Sequence, residues 1–501
     1  MGSFLTKEQL QELAHAEDLS ESPIPTQMIS NGEFSPVPQT QAQAQVEERL
    51  KSLADRWSRS QGLDRRKFLK TASGMAAAFI AMNQVYGSVF NVSVAEAQDA
   101  DAALERAASL ADQFIFDAQV HFIKDDSPEG SNPANMLGIR RFASGYLNSA
   151  LKESPMVLED LKFQNFVKEV FFDSDTDIAI LSGAPSDKVE NWFLTNDQMN
   201  EARRIVNEAC GSKRLMSHAV FTPGQPGWLE EVDRVIEEVK PDSWKGYTTG
   251  DPNGPSDYRW RLDDEALVYP AYEKMVKSGI KNICIHKGLL PMGAEAQMPG
   301  VTEYAGVDDV GKAAKDWPEL NFIIYHCAYN VLLPTDKHKE ALEERGYVEW
   351  ASDLAAIPEK FGVSNVYAEI GSSFGISAVM LPRFCAGMMG ALIKGMGEDN
   401  VFWGTDAVWY GSPQWQIEAL RRIEIPEDLQ KKFGYAPLGA ADGRVKNKIL
   451  GLNLARHYGL DVAKAEAACA GDQLAAAKKE YMAAGADRSN LAYGFVNNKK
   501  I

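Results

Sequence analysis

The sequence predicts a (β/α)8 barrel, of distorted TIM type, with a polar N-terminal leader and a helical C-terminal extension. Three observations predict it. Eight short apolar runs recur between Phe114 and Asp406, each of strand length. Helical stretches separate them, as in Trp228–Val239, where Leu229, Val232, Val235, Ile236 and Val239 share one face. Finally, His121, His286, His326 and Asp406 fall at the C-terminal ends of runs one, five, six and eight, the rim where a parallel barrel carries its chemistry. An open doubly wound sheet is the alternative. No Gly-x-Gly-x-x-Gly follows any run, which counts against a dinucleotide-binding sheet.

Composition sets the outer bounds. The 501 residues are 45% hydrophobic and 24% charged, an ordinary globular balance with material for a large core. A formal charge of −18 argues against a nucleic-acid partner and fits a small-molecule substrate. The five cysteines are scattered and none forms a Cys-x-x-Cys pair, so neither a zinc knuckle nor a disulfide framework is indicated.

Residues 1–62 are rich in Gln, Ser, Glu and Pro and read as a disordered leader with short helices near Lys7–Ala16 and Val46–Arg56. Residues 63–97 hold Arg65-Arg66-Lys67-Phe68-Leu69-Lys70, then a mildly apolar segment, Met75–Met82, then Ala95-Glu96-Ala97. This resembles a twin-arginine export signal with a small-x-small cleavage site, which implies export by that machinery to the periplasm and a mature chain starting near Gln98. The apolar segment is too short for a stable membrane span.

The barrel is expected over 98–460. A short helix, Ala103–Leu110, leads into strand one, Phe114–Phe122. Strands follow at Asp177–Ser182, Arg214–Phe221, Ser243–Tyr247, Asn282–Gly288, Asn321–Cys327, Asn365–Ile370 and Asn400–Asp406. Helices are expected at Glu201–Ala209, Trp228–Val239, Asp263–Ser278, Val307–Asp316 and Met380–Ile393, with Arg444–Leu460 closing the barrel. Residues 461–501 form an Ala-rich helical tail.

The four rim residues make a coherent chemical set. Imidazole and carboxylate are the common first ligands of a catalytic divalent ion. Such an ion lowers the pKa of bound water towards ~7. Asp406 then either ligates the ion or takes the water's proton. On strand one, alternation puts Asp117, Gln119 and His121 on one face. Gln119 is either a weak ligand or a hydrogen-bonding group for substrate. Arg140 and Arg141 suit a substrate carboxylate, although a solvated loop explains them as well. Glu369, near the end of strand seven, is a further candidate for substrate contact.

These motifs together are similar to the metal-dependent amidohydrolase superfamily, in its amidohydrolase-related branch with amino-carboxymuconate-semialdehyde decarboxylase. They are Asp117 with His121, Ile285-His286, Tyr325-His326-Cys327 and Trp403-Gly404-Thr405-Asp406, in that order along the chain. The resemblance implies one divalent ion, usually zinc with manganese as an alternative, ligated by His121 and His286. It implies that Asp406 ligates the ion or activates water, that His326 polarises the reacting group, and that related barrels pair as dimers. Some branches carry a carboxylated lysine where Lys245 stands. The family's strand-one motif is His-x-His, and Gln119 replaces its first histidine. The expected activity is hydrolysis of an amide, ester or lactone. A non-oxidative decarboxylase of a carboxylated aromatic or enol acid is the alternative, and a binding protein that has lost its metal is a third.

Overall fold

A computed structural model describes residues 22–26, 39–125 and 161–486, apart from 253, 292, 332 and 333. Its centre is a single eight-stranded parallel sheet in sequential order. The strands are β1 (Phe116–Val120), β2 (Ile178–Leu181), β3 (Leu215–Val220), β4 (Ser243–Tyr247), β5 (Asn282–His286), β6 (Asn321–Tyr325), β7 (Val366–Glu369) and β8 (Val401–Phe402). The ends of the sheet meet. Ala118 N–H donates to Trp403 O at 3.0 Å, Asp406 N–H to Gln119 O at 2.9 Å, and Val120 bridges Ala407 in parallel. The predicted barrel is therefore what forms.

Among the described residues, five N-terminal helices precede the barrel: α1 (Gln41–Ser60), α2 (Arg65–Leu69), α3 (Ala72–Tyr86), α4 (Val94–Gln98) and α5 (Ala100–Ser109). Among the helices between strands are α6 (Asn196–Cys210), α7 (Tyr269–Ser278), α8 (Val310–Asp316), α9 (Ala351–Phe361), α10 (Gly371–Met380) and α11 (Pro382–Met396). After β8 comes α12 (Gln414–Arg422). The helices start where the sequence supplies caps. Thr195 and Gln198 form a capping box at α6, and Gly211 ends that helix in the left-handed region at φ 74°.

Alternation along the strands sorts side chains into two sets. On β5, Ile283 and Ile285 pack outward against the helices, while Cys284 packs inside the barrel with Phe116, Ile180, Met216 and Ile323. Lys245, His218, His286 and Glu369 belong to the inward set at the strands' C-terminal ends, and all are buried. Cys327 turns away and packs its Sγ on Met388.

In the leader, expected to be mostly disordered over 1–62, Lys7–Ala16 lies outside the described residues, while the short helix expected near Val46–Arg56 forms and extends over Gln41–Ser60. There Val46, Leu50, Leu53 and Trp57 are buried at i, i+4, i+7 and i+11, the stripe of a packed helix. The segment resembling an export signal is also built in. Phe68, Phe79 and Ala97 are fully buried, Phe90 bridges Ile423, and Glu96 pairs with Arg422 at 2.7 Å. Among the described residues, no helix is long and apolar enough to cross a membrane. Arg140 and Arg141 lie outside the described residues.

Candidate active site

The site is assembled at the C-terminal ends of β1 and β5 to β8, and its first device is a joint between the first and last strands. Asp117 accepts from the Thr405 N–H at 3.0 Å and from the Thr405 hydroxyl, and also from the Gln119 N–H at 3.0 Å. This clamps Gln119 and His121 beside Asp406. Burial pushes the Asp117 carboxyl up to about 7 against the pull of these donors. The register of β1 against β2 also shifts between Asp117 and Val120, the kind of irregularity that re-aims side chains beside a site.

His121 Nε2 lies 2.9 Å from Asp406 Oδ1 and 2.9 Å from Gln119 Nε2, with its ring stacked on Trp409 at 5.4 Å. All of these residues are fully buried. Burial alone would raise the Asp406 carboxyl. The imidazoles of His121 and His326 and the Ser372 hydroxyl outweigh it and hold the carboxyl below the usual range.

His286 stands apart from that pair. Its ring stacks on Tyr247 at 4.9 Å and meets His326 edge-on at 4.8 Å. Desolvation, with the neighbouring His326 and Lys245, holds His286 far below the ordinary histidine range. Burial likewise pushes His326 down to about 3, so both rings are neutral. Lys245 Nζ sits 3.5 Å above the Tyr325 ring, and the Tyr325 hydroxyl donates to Ala118 O at 2.8 Å and meets His218 Nε2 at 3.0 Å.

Glu369 is hydrogen-bonded to the backbone on either side of the site. Its two oxygens accept from the His326 N–H at 3.0 Å and the Gly371 N–H at 2.6 Å. Gly404 is required beside it, because a Cβ there would come within 1.9 Å of Glu369 Oε1. Glu369 thus braces the backbone of His326 in this structure. Desolvation raises its carboxyl to about 8.

Several polar atoms of the site are left without partners: among the described residues, Gln119 Oε1, His121 Nδ1, His326 Nε2 and Asp406 Oδ1 are buried without a hydrogen-bond partner. If His121 Nε2 carries a proton, it opposes the amide hydrogens of Gln119. If it carries a lone pair, it opposes the Asp406 oxygen at 2.9 Å. Turning the Gln119 amide over brings three acceptors together: an amide oxygen, an imidazole nitrogen and a carboxylate oxygen. A proton on His121 Nε2 satisfies both oxygens of that cluster; a divalent cation would do so too, and two oxygens to one nitrogen would suit a hard ion better than zinc. Among the described residues, no group of three His, Cys, Asp or Glu side chains is placed to hold a metal. His121, His286 and Asp406 are therefore not assembled as such a trio, and the group beside His121 and Asp406 is the Gln119 amide.

Sequence reasoning missed Ser372 and Tyr410, which bind the site from behind. Both are fully buried. The one sequence signal for Ser372 is its place in the turn after strand seven, on the functional rim of a barrel.

No curated protein sequence matches this chain. Among solved structures, 5-carboxyvanillate decarboxylase from Sphingomonas paucimobilis is 15% identical with a TM-score of 0.39, covering 70% of this chain and all of its own. The 2,6-dihydroxybenzoate decarboxylase from Rhizobium is 14% identical with a TM-score of 0.41, covering 69% of this chain and 99% of its own. An uncharacterized TIM-barrel protein from Bordetella bronchiseptica is 11% identical with a TM-score of 0.42, covering 70% and 99%. Residues 238–460, which carry β4 to β8 and with them Lys245, His286, His326, Glu369 and Asp406, match the family model described as amidohydrolase.

Proposed function

We propose that this chain is a metal-dependent, non-oxidative decarboxylase of a small carboxylated aromatic or enol acid. The observation that carries this reading is the proton inventory of the barrel mouth. His326 accepts the Ser372 N–H at Nδ1, at 3.2 Å, so its proton sits on Nε2. That Nε2–H is buried without a partner. Asp406 is held ionised and is therefore a weak base for activating water. Among the described residues the mouth thus offers a hydrogen-bond donor at His326, and Asp406 beside it is a weak base.

In such a site the bond from the ring or enol carbon to the carboxylate breaks. Its electron pair passes into the conjugated system, carbon dioxide leaves, and a proton is taken up at carbon. His326 Nε2–H stabilises the oxygen that gains charge, as a neutral donor poised in a water-excluded site. Trp409 and Tyr247, stacked on His121 and His286, give flat walls suited to a planar acid. A hard divalent ion such as manganese would be held by Gln119, His121 and Asp406, and when bound it would polarise a substrate oxygen.

Hydrolysis is the second reading, favoured by the description of the matching family. The test is a panel of hydroxylated aryl carboxylic acids against a panel of esters, amides and lactones, with manganese-loaded protein. Carbon dioxide release, with kcat lowered at least ~10²-fold by H326A, is the expected result. Acid release from the second panel without carbon dioxide from the first would overturn the reading in favour of hydrolysis.

A further inference from the structure

We propose that Ser372, through its two polar groups, is the positioning residue that sets both the tautomer of His326 and the working oxygen of Asp406. The proposal rests on the reading of His326 and Asp406 as site residues, and goes beyond it by assigning what arms them.

Ser372 is the second residue of α10, a ten-residue helix that begins just after β7. Its backbone N–H has no partner within a helix at that position, and it donates to His326 Nδ1 at 3.2 Å. A neutral imidazole that accepts at Nδ1 carries its proton at Nε2. The helix N-terminus therefore turns His326 into a donor whose free N–H points away from the helix.

The hydroxyl performs the second task. Tyr410 O–H donates to Ser372 Oγ at 2.7 Å, and Ser372 Oγ–H donates to Asp406 Oδ2. With an incoming hydrogen bond from Tyr410, the serine's own proton is committed to the carboxylate. Oδ2 is thereby occupied, and Oδ1 is left to face His121 Nε2 at 2.9 Å. The Trp415 indole N–H in turn donates to Tyr410 O at 3.0 Å and fixes the backbone from which the phenol reaches. Tyr410, Ser372, Asp406 and His326 are all fully buried, so water does not compete for these bonds.

Two measurements test this. Long-range proton–nitrogen NMR of histidine-labelled, metal-free protein reports each ring's tautomer. His326 is expected as the Nε2–H form in wild type and in S372A, because the substitution keeps the backbone N–H. Titration calorimetry with Mn2+ alone compares wild type, S372A, S372T, Y410F and H121A. S372A is expected to weaken binding about 10–100-fold, the usual cost of losing a group that orients a metal ligand. Y410F is expected to weaken it less, and S372T to restore it. A His326 ring protonated at Nδ1 would overturn the proposal, as would wild-type affinity in S372A while H121A loses the metal. If wild type binds no Mn2+, the metal reading fails by itself. The ring spectra then decide about Ser372: S372A must shift the His121 resonances through the released Asp406, and unchanged spectra refute the proposal.

Discussion

Four of the residues that shape the site hold a backbone conformation that side chains other than glycine avoid. His326, Cys327, Ala328 and Asp406 have φ of 59°, 44°, 52° and 59°. Each such residue costs on the order of 1–3 kcal/mol and persists only where its surroundings over-determine it. Here they do: Glu369 accepts the His326 N–H, the Ser373 hydroxyl donates to His326 O, and Gln119 O accepts the Asp406 N–H. A histidine away from this region gives a clean test of the electrostatics. His457 packs on Tyr367 at 4.4 Å and Phe402 at 5.2 Å, and burial lowers it from 6.5 to about 4. A histidine lowered in the folded state binds fewer protons folded than unfolded between those values. Its contribution to stability is therefore complete above 6.5 and is lost as pH falls towards about 4. Wild type should lose on the order of 2 kcal/mol relative to H457F between about pH 7.5 and about pH 5, read by denaturant unfolding. An unchanged difference would show that the ring is not held neutral. At this scale the sequence was partly legible. His121, His286, His326 and Asp406 announce themselves as polar residues ending apolar runs. Ser372 does not, because a serine in the first turn of a helix is ordinary and only the fold brings it to both His326 and Asp406.

At the scale of elements, the strands were legible because each alternates or runs apolar for five or six residues before a turn. The N-terminal layer was not. A basic pair followed by a short apolar segment reads equally as an export signal and as a buried helix, since periodicity alone does not separate the two. Packing does. α3 buries Phe79 against Phe90 at 4.9 Å, and the Phe79 ring lies under the Arg422 guanidinium at 5.5 Å. Glu96 and Glu418 pair with Arg422 at 2.7 and 3.1 Å, and Arg106 reaches Glu418 at 2.8 Å. These four arginine and glutamate partners on α12 and the N-terminal layer form three largely desolvated pairs, and removing one side of such a pair typically costs 3–5 kcal/mol. Cleavage after Ala97 would remove α1 to α4 and leave Arg422 without Glu96. We therefore expect residues 63–97 to stay in the folded protein. Intact mass spectrometry of protein purified from the cells that make it should show them present, and a mass beginning at Gln98 would contradict this.

For the whole molecule, closure of the sheet is what turns separate motifs into a site. Gln119 and His121 stand at the first strand and Asp406 beyond the last, nearly 300 residues apart in sequence, and only the β1–β8 joint makes them neighbours. The order of strands was readable from the alternation of runs and helices. Gln119 was readable too as a polar residue sharing a face with Asp117 and His121, but its consequence was not, because it depends on where the amide stands relative to His121 and Asp406. The structure places it 2.9 Å from the ring nitrogen that also faces the carboxylate. That convergence is where the proposed function would hold its metal. Its most direct test is metal competition: equilibrium dialysis of wild type, Q119A and Q119H against equal Mn2+ and Zn2+, with bound metal counted by elemental analysis. The account predicts one manganese per chain in wild type, its loss in Q119A, and a turn towards zinc in Q119H, where a softer nitrogen donor replaces the amide oxygen. A wild-type protein that takes up no metal, or a Q119A protein that binds manganese as wild type does, would contradict it.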